Sequence, residues 1–189
     1  MIIGIDLDAV CADYYGGLRK FIALEDGLTP ELAMELYPDP DTYDMGSWNG
    51  FPDKFLEIHT RAVEQGLYRN LEPIEGASET LWKLNDDGHH LRVITSRFVR
   101  PGQHASAASQ TVAWLDNFGF PYHDISFVKG KGDIYADVYI DDSPENIHRF
   151  NELGRKVIIF NTSYNKDIDG LRAYNWNDVY HIISDLSNK

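Results

Sequence analysis

Five short apolar runs alternate with helix-like stretches along this chain. That alternation restricts the folds open to it. The runs are Met1–Leu7, Leu91–Thr95, Ile125–Val128, Val138–Ile140 and Lys156–Phe160. Each is short, and most are rich in β-branched residues, as expected of strands buried on both faces. Helices are expected from Tyr14 to Leu24, from Ala77 to Asn85 with a stop near Gly88, and from Ala107 to Phe118 with a stop at Gly119. Others are expected from Ser143-Pro144 to Gly154 and from about Asn177 onward. Strand–helix alternation predicts an α/β fold, an open, Rossmann-like parallel sheet with helices on both faces. Ligands of such sheets bind at the carboxyl ends of the strands.

One stretch breaks the alternation. Between Gly27 and Arg69 the chain is punctuated by Pro30, Pro38, Pro40 and Pro52 and carries Tyr37, Tyr43, Trp48, Phe51, Phe55 and Tyr68. Thr29-Pro30 reads as an N-cap with proline in the first helical turn. Pro52 opens a second helix, with Phe51, Phe55, Ile58 and Ala62 at helical spacing and Gly66 as its stop. Helices without a clear strand predict a small helical cap over residues 25–70. It is inserted after the first strand–helix unit, into a core formed by residues 1–24 and 71–189. A length of 189 residues suits one α/β core with such an insertion.

Polar clusters follow four of the strands. Asp6-Leu7-Asp8 places two carboxylates where the chain leaves the first strand. Thr95-Ser96-Arg97 follows the second, Lys129-Gly130-Lys131 the third and Asp141-Asp142 the fourth. Singly, each has a plain structural reading. The first is a pair of solvated loop acids, the second a hydroxyl-capped turn, and the third an exposed basic turn without the P-loop glycine pattern. Adjacent acids after a buried strand are costlier to explain, because they need a cation or an ammonium partner. In combination the four supply a nucleophile, a phosphate anchor, a compensating cation and a hard oxygen site for a metal.

The order D-x-D-x-V, strand-T/S, K and D-D resembles that of the haloacid dehalogenase-like phosphatases. More narrowly, IGIDLDAVCADYYGGLRKF, NLEPIEGASETLWKL, VITSR and K-x5-D-V-Y-I-D-D resemble the 5′(3′)-deoxyribonucleotidase family, with a loosely matching cap. Ala9 stands where that family usually has Gly. The resemblance implies that Asp6 attacks phosphorus and that Asp8 serves as acid and then base. It implies Mg²⁺ on the Asp6 carboxylate, the Asp8 backbone carbonyl and Asp142, with Asp141 behind them near Lys131. Thr95 and Ser96 would hold phosphate. Family spacing selects Lys131 over Lys129 as the phosphate lysine, leaving Lys129 as a secondary contact or a surface residue. Arg97 would draw in the anion, and Trp48 and Phe51 would face the leaving group. The implied substrate is a small phosphomonoester, a deoxyribonucleoside monophosphate in particular.

Structural readings are favoured for Phe55 as part of a helix face, for His59, His89 and His90, and for Cys11 as a small buried residue. A formal charge of −13 argues against a nucleic-acid polymer as partner. No apolar run approaches the roughly 20 residues of a membrane span. The first apolar stretch is interrupted by Asp6 and Asp8, so a cytoplasmic protein without a signal peptide is expected, with self-association left open. Competing readings are a sugar-phosphate phosphatase, a phosphotransferase and a non-catalytic phosphate-binding module. The last should have lost the nucleophile or the lysine, and both are present.

Overall fold

The computed structural model describes residues 1–48 and 51–188, without the side chains of Phe51 and Pro52. One six-stranded parallel sheet is made of β1 (Ile2–Ile5), β2 (His90–Thr95), β3 (Asp124–Phe127), β4 (Val138–Asp141), β5 (Val157–Phe160) and β6 (Leu171–Ala173). Its order is β3-β2-β1-β4-β5-β6. The chain builds outward from β1 to β3, then returns past β1 to build the other half. β1 is thus flanked by β2 and β4, with Ile5 opposite both Val93 and Ile140. The reversal leaves a crevice at the carboxyl ends of β1 and β4, the usual ligand position in such sheets.

Seven helices accompany the sheet among the described residues: α1 (Tyr14–Asp26), α2 (Pro30–Leu36), α3 (Phe51–Glu64), α4 (Ala77–Asp86), α5 (His104–Asn117), α6 (Pro144–Glu152) and α7 (Trp176–Ser187). Side-chain alternation divides the interior into two cores. Ile3, Ile5, Val138, Ile140 and Ile158 pack with Leu18 of α1, Leu81 of α4, Trp114 of α5 and Val179 of α7. Ile94, Tyr139 and Ile159 point the other way and meet Ile147 and Phe150 of α6. Both faces of the sheet are covered, as the alternation predicts. Gly4 belongs to the second face. A Cβ there would come within 2.9 Å of Ile94 and 3.0 Å of Tyr139, so glycine lets these side chains cross the strand.

The segment between α1 and α4 contains α2, α3 and a single 3₁₀ turn, Leu67–Arg69, with no strand among its described residues. The Thr29 hydroxyl accepts the Leu32 amide at 3.3 Å, and Pro30 sits in the first turn, as the cap signal predicts. Several element ends shift by one to three residues from expectation, as where α1 runs on to Asp26 and β4 takes in Asp141. β1 ends at Ile5, so Asp6 is the first residue beyond it. β6 is a strand that no apolar run announces. It has three residues and lies at the sheet edge. Its central Arg172 is held by Asn161 and Asn165 rather than by an apolar layer.

Candidate active site

The tight turn after β1 creates the first part of the site. Cys11 and Ala12 both donate backbone N–H groups to the Leu7 carbonyl, and Ala9 adopts φ 60°. Asp6 is buried at the sheet end, while Asp8 is half-buried on the turn. Beneath them the buried Cys11 thiol donates to the Asp6 backbone carbonyl at 3.3 Å, a packing role in line with its expected one.

β4 ends one strand away with Asp141 and Asp142, and successive residues point in different directions. Lys131, from the turn after β3, places its ammonium 2.7 Å from Asp6 Oδ1 and 2.9 Å from Asp141 Oδ2. Asp141 also accepts the Ser143 amide at 3.0 Å and the Asn146 side-chain amide at 3.1 and 3.2 Å. Its oxygens are therefore already engaged. Asp142 turns instead toward the Tyr164 hydroxyl, which donates to it. Carboxylate oxygens of Asp6, Asp141 and Asp142 lie within 4.8 Å of one another.

Three buried carboxylates share one ammonium group there. Burial drives the Asp6 carboxyl upward from its ordinary pKa against the pull of Lys131. Asp142 is pushed well upward by burial and then by the charges of Asp6 and Asp141. The cluster is thus short of positive charge, and an all-oxygen donor set of this kind suits a hard divalent cation. Each of the three carboxylates could offer it an oxygen, and Asp141 is the one most engaged already, by Lys131, Ser143 and Asn146.

Thr95 closes β2. Its Oγ1 is buried and has no hydrogen-bond partner among the described residues, a costly state for a hydroxyl and one that a phosphate oxygen would relieve. Ser96, next along, is exposed at the mouth of the site.

Asp6, Asp8, Ser96, Lys131 and Asp142 border a cavity of about 440 Å³, within the usual size range for a small-molecule site, with Thr95 and Asp141 buried behind its lining. Asp6, Asp8, Lys131 and Asp142 line one part of it. Tyr14, Tyr15, Tyr43, Phe55, His59 and Tyr68 form much of the opposite wall, with Met45 and Val99 among the other lining residues. His59 is buried between two phenols, with Nδ1 2.9 Å from the Tyr14 oxygen and Nε2 3.2 Å from the Tyr68 oxygen. Burial lowers its pKa from 6.5 to about 4. Phe55 stacks on its ring with centroids 5.3 Å apart.

Several residues sit elsewhere than expected. Trp48 is fully buried, donates its indole N–H to the Pro38 carbonyl at 2.6 Å and packs edge-on against Tyr37 and Tyr15. It braces the loop before α3 and does not border the cavity, because its large ring is the natural filler under a proline-rich turn. Arg97 borders the cavity, but its guanidinium is fully buried against Asp8, so it does not face solvent as a free anion attractant. Lys129 is exposed and lies outside the cavity lining, whereas its neighbour Lys131 points inward. Phe55 and His59 border the cavity rather than merely filling a helix face. The expected role of the Phe51 side chain lies outside the described residues. His89 contacts the Met1 amino group and His90 pairs with Asp124, both at the amino end of β2, away from the site.

Tyr14, Tyr15, Tyr164 and Asn146 are additions that the sequence reading missed. Asn146 had a usable signal, since it lies one turn into the helix that follows Asp141-Asp142. Tyr164 sits in an irregular loop after β5 and carries no periodic signal.

The whole chain, residues 1–189, matches the family model described as 5′ nucleotidase, deoxy (pyrimidine), cytosolic type C protein. A Chlorobaculum tepidum protein provisionally named a 5′(3′)-deoxyribonucleotidase is 41% identical over 97% of this chain and 90% of its own length. A Bacillus subtilis 5′(3′)-deoxyribonucleotidase is 26% identical over 94% of this chain and 95% of its own. Among solved structures, a predicted phosphatase from Clostridium acetobutylicum superposes with a TM-score of 0.66 at 15% identity, covering 97% of this chain and 98% of the other. A HAD-superfamily hydrolase from Geobacter sulfurreducens superposes at 0.56 and 14% identity, over 96% and 98%. These structural likenesses carry the haloacid dehalogenase-like fold. The sequence matches carry the family: the chain belongs to the 5′ nucleotidase, deoxy (pyrimidine), cytosolic type C family of phosphoric monoester hydrolases.

Proposed function

We propose that the protein is a Mg²⁺-dependent 5′(3′)-deoxyribonucleotidase acting through an aspartyl-phosphate on Asp6. The observation that carries this reading is the placement of Asp6. It is buried beside Lys131 and two further carboxylates, at one end of a cavity whose other walls carry several aromatic side chains. A phosphate belongs at the charged end, and a base suits the aromatic one.

In the first half-reaction an Asp6 carboxylate oxygen bonds to phosphorus and the bond to the nucleoside oxygen breaks. Asp8 delivers a proton to that departing oxygen, since an alkoxide is a poor leaving group. In the second, Asp8 takes a proton from water, the water oxygen bonds to phosphorus, and Asp6 leaves as carboxylate. Lys131 keeps Asp6 oriented and offsets its charge, and the Thr95 hydroxyl and Ser96 bind phosphate oxygens. Asp6 and Asp142, with the Asp8 backbone carbonyl, would hold Mg²⁺, which supplies charge neutralisation for the phosphoryl group. Residues 25–70 serve as a cap that excludes water and reads the base.

Phosphate release from dUMP, dTMP, UMP and sugar phosphates, with Mg²⁺ and after chelation, tests the reading. The deoxyribonucleoside monophosphates should show the highest kcat/KM, and chelation should stop turnover. Preference for sugar phosphates would replace the substrate assignment. Undiminished turnover without metal would remove the Mg²⁺ role.

A further inference from the structure

We infer that Arg97 is the positioning residue for Asp8. It anchors the carboxyl group through Oδ1 and leaves Oδ2 as the oxygen that carries the proton. This inference rests on the phosphatase reading above.

Asp8 sits on a turn, not on a strand, and nothing in its backbone fixes its side chain. Among the described residues, Arg97 supplies all the hydrogen bonds to its carboxyl group. Nη2 donates to Oδ1 at 2.7 Å, and Nε is shared between Oδ1 at 3.2 Å and Oδ2 at 3.1 Å. The contacts are unequal. Oδ1 receives two donors, one of them short, while Oδ2 receives only one arm of a shared donor. A proton on Oδ2 leaves the shorter bond to Oδ1 intact.

The guanidinium is itself held on three sides. Nη1 donates to the Thr111 hydroxyl at 3.1 Å, and that hydroxyl donates onward to the Ala107 carbonyl at 2.7 Å. The Tyr68 ring lies 4.4 Å from the guanidinium carbon and Trp114 lies 5.9 Å away. Such a planar fork transmits its orientation to the carboxylate, which an ammonium cannot do. A fully buried arginine with its charge committed to Asp8 has no arm left over for substrate.

The proton bookkeeping follows from this geometry. The Oδ2 proton passes to the nucleoside oxygen as its bond to phosphorus breaks. Asp8 then stands as a carboxylate, the form that the fork holds through both oxygens. Oδ2 next accepts the proton of the water whose oxygen bonds to phosphorus.

The test separates positioning from simple support of the fold by varying the leaving group. A deoxyribonucleoside monophosphate needs the proton. p-Nitrophenyl phosphate releases a stable phenolate and needs it far less. Arg97→Lys should lower kcat on the nucleotide on the order of 10²-fold, and on the aryl ester less than about tenfold. Thr111→Val keeps the Arg97–Asp8 contacts but removes the lateral tether. It should show the same selectivity at roughly severalfold. If Arg97→Lys does not fold, as judged by circular dichroism, Thr111→Val decides the matter. Equal losses on the two esters, or unchanged nucleotide turnover, would overturn the positioning role. A wild-type protein that hydrolyses neither ester with Mg²⁺ would instead overturn the underlying phosphatase reading.

Discussion

The carboxylates at one end of the cavity stand on adjacent strand ends, whereas its aromatic walls come from separate pieces of chain. Asp6 follows β1, Asp141 closes β4 and Asp142 follows it, and the two strands are hydrogen-bonded neighbours. Tyr14, Tyr43, Phe55 and Tyr68 come from α1, the loop before α3, α3 itself and the turn beyond it. The charged end is fixed by sheet register, because a residue just past a parallel strand must emerge at that edge. The aromatic walls depend on how one irregular segment folds back over the sheet. On the proposed function, chemistry belongs to the first region and selection to the second, and each region can be challenged separately.

The largest effect should come from Asp6→Asn. An amide cannot form the phosphoenzyme, so kcat should fall on the order of 10⁴-fold or more while the protein remains folded by circular dichroism. A single-turnover assay with ³²P-labelled nucleotide should also lose the acid-stable protein label. Near-normal turnover in this variant would end the claim that chemistry resides at the strand ends.

The same contrast explains what could be read from sequence. Asp6, the Lys129–Lys131 turn and the Asp141-Asp142 pair were legible because each polar cluster terminates or follows a short apolar run, and parallel strands bring such termini together. The choice of Lys131 and Asp142 within their clusters rested on the family resemblance. β6 was not legible, since an edge strand of three residues has no two-sided burial to impose an apolar pattern. Arg97 was expected to draw in the anion, without a partner inside the chain. Sequence spacing shows that it follows β2, but not that its guanidinium turns across the sheet end to Asp8, 89 positions away. Trp48 and Phe55 exchanged their expected places for a related reason. Both are aromatic residues in one proline-rich segment, and only the packed loop decides which ring fills the interior and which borders the cavity.

His59 tests whether the aromatic walls are a structural unit. Its pKa is lowered from 6.5 to about 4 by burial, so the folded protein keeps it neutral where an unfolded chain binds a proton. Its contribution to stability is therefore complete above pH 6.5 and declines as the pH falls toward 4. Between pH 6.5 and 5 the wild-type protein should lose about 1.5 kcal/mol more unfolding free energy than His59→Gln, measured by urea titration at each pH. Other titrating groups are common to both proteins and cancel in the difference. Parallel pH dependences would show that His59 does not carry this linkage.

Phe55→Ala addresses selection directly. If its ring meets the base, KM for the nucleotide should rise about tenfold, the equivalent of about 1.4 kcal/mol of lost ring contact. kcat should change far less, and competitive inhibition by inorganic phosphate should be untouched, because phosphate occupies only the charged end. A fall in kcat with unchanged KM would move Phe55 from selection to chemistry and blur the division between the two regions.

The smallest effect is expected at Ala9, where the two regions meet. Ala9 borders the cavity one residue beyond Asp8 and holds φ at 60°, the left-handed region that a Cβ disfavours by roughly 1–2 kcal/mol. Glycine removes that penalty but adds freedom to the unfolded chain, so the net gain from Ala9→Gly should be about 0.5–1 kcal/mol. For a chain of this size that corresponds to a melting temperature higher by about 1–4 °C. The same freedom acts on the turn that carries Asp8. A merely relaxed turn would raise the melting temperature and leave kcat alone. A turn whose rigidity helps aim Asp8 would raise the melting temperature and lower kcat on the nucleotide more than on p-nitrophenyl phosphate. An unchanged or lower melting temperature would show that the left-handed alanine is not under strain, and that the turn's hydrogen bonds to Leu7 suffice to hold it.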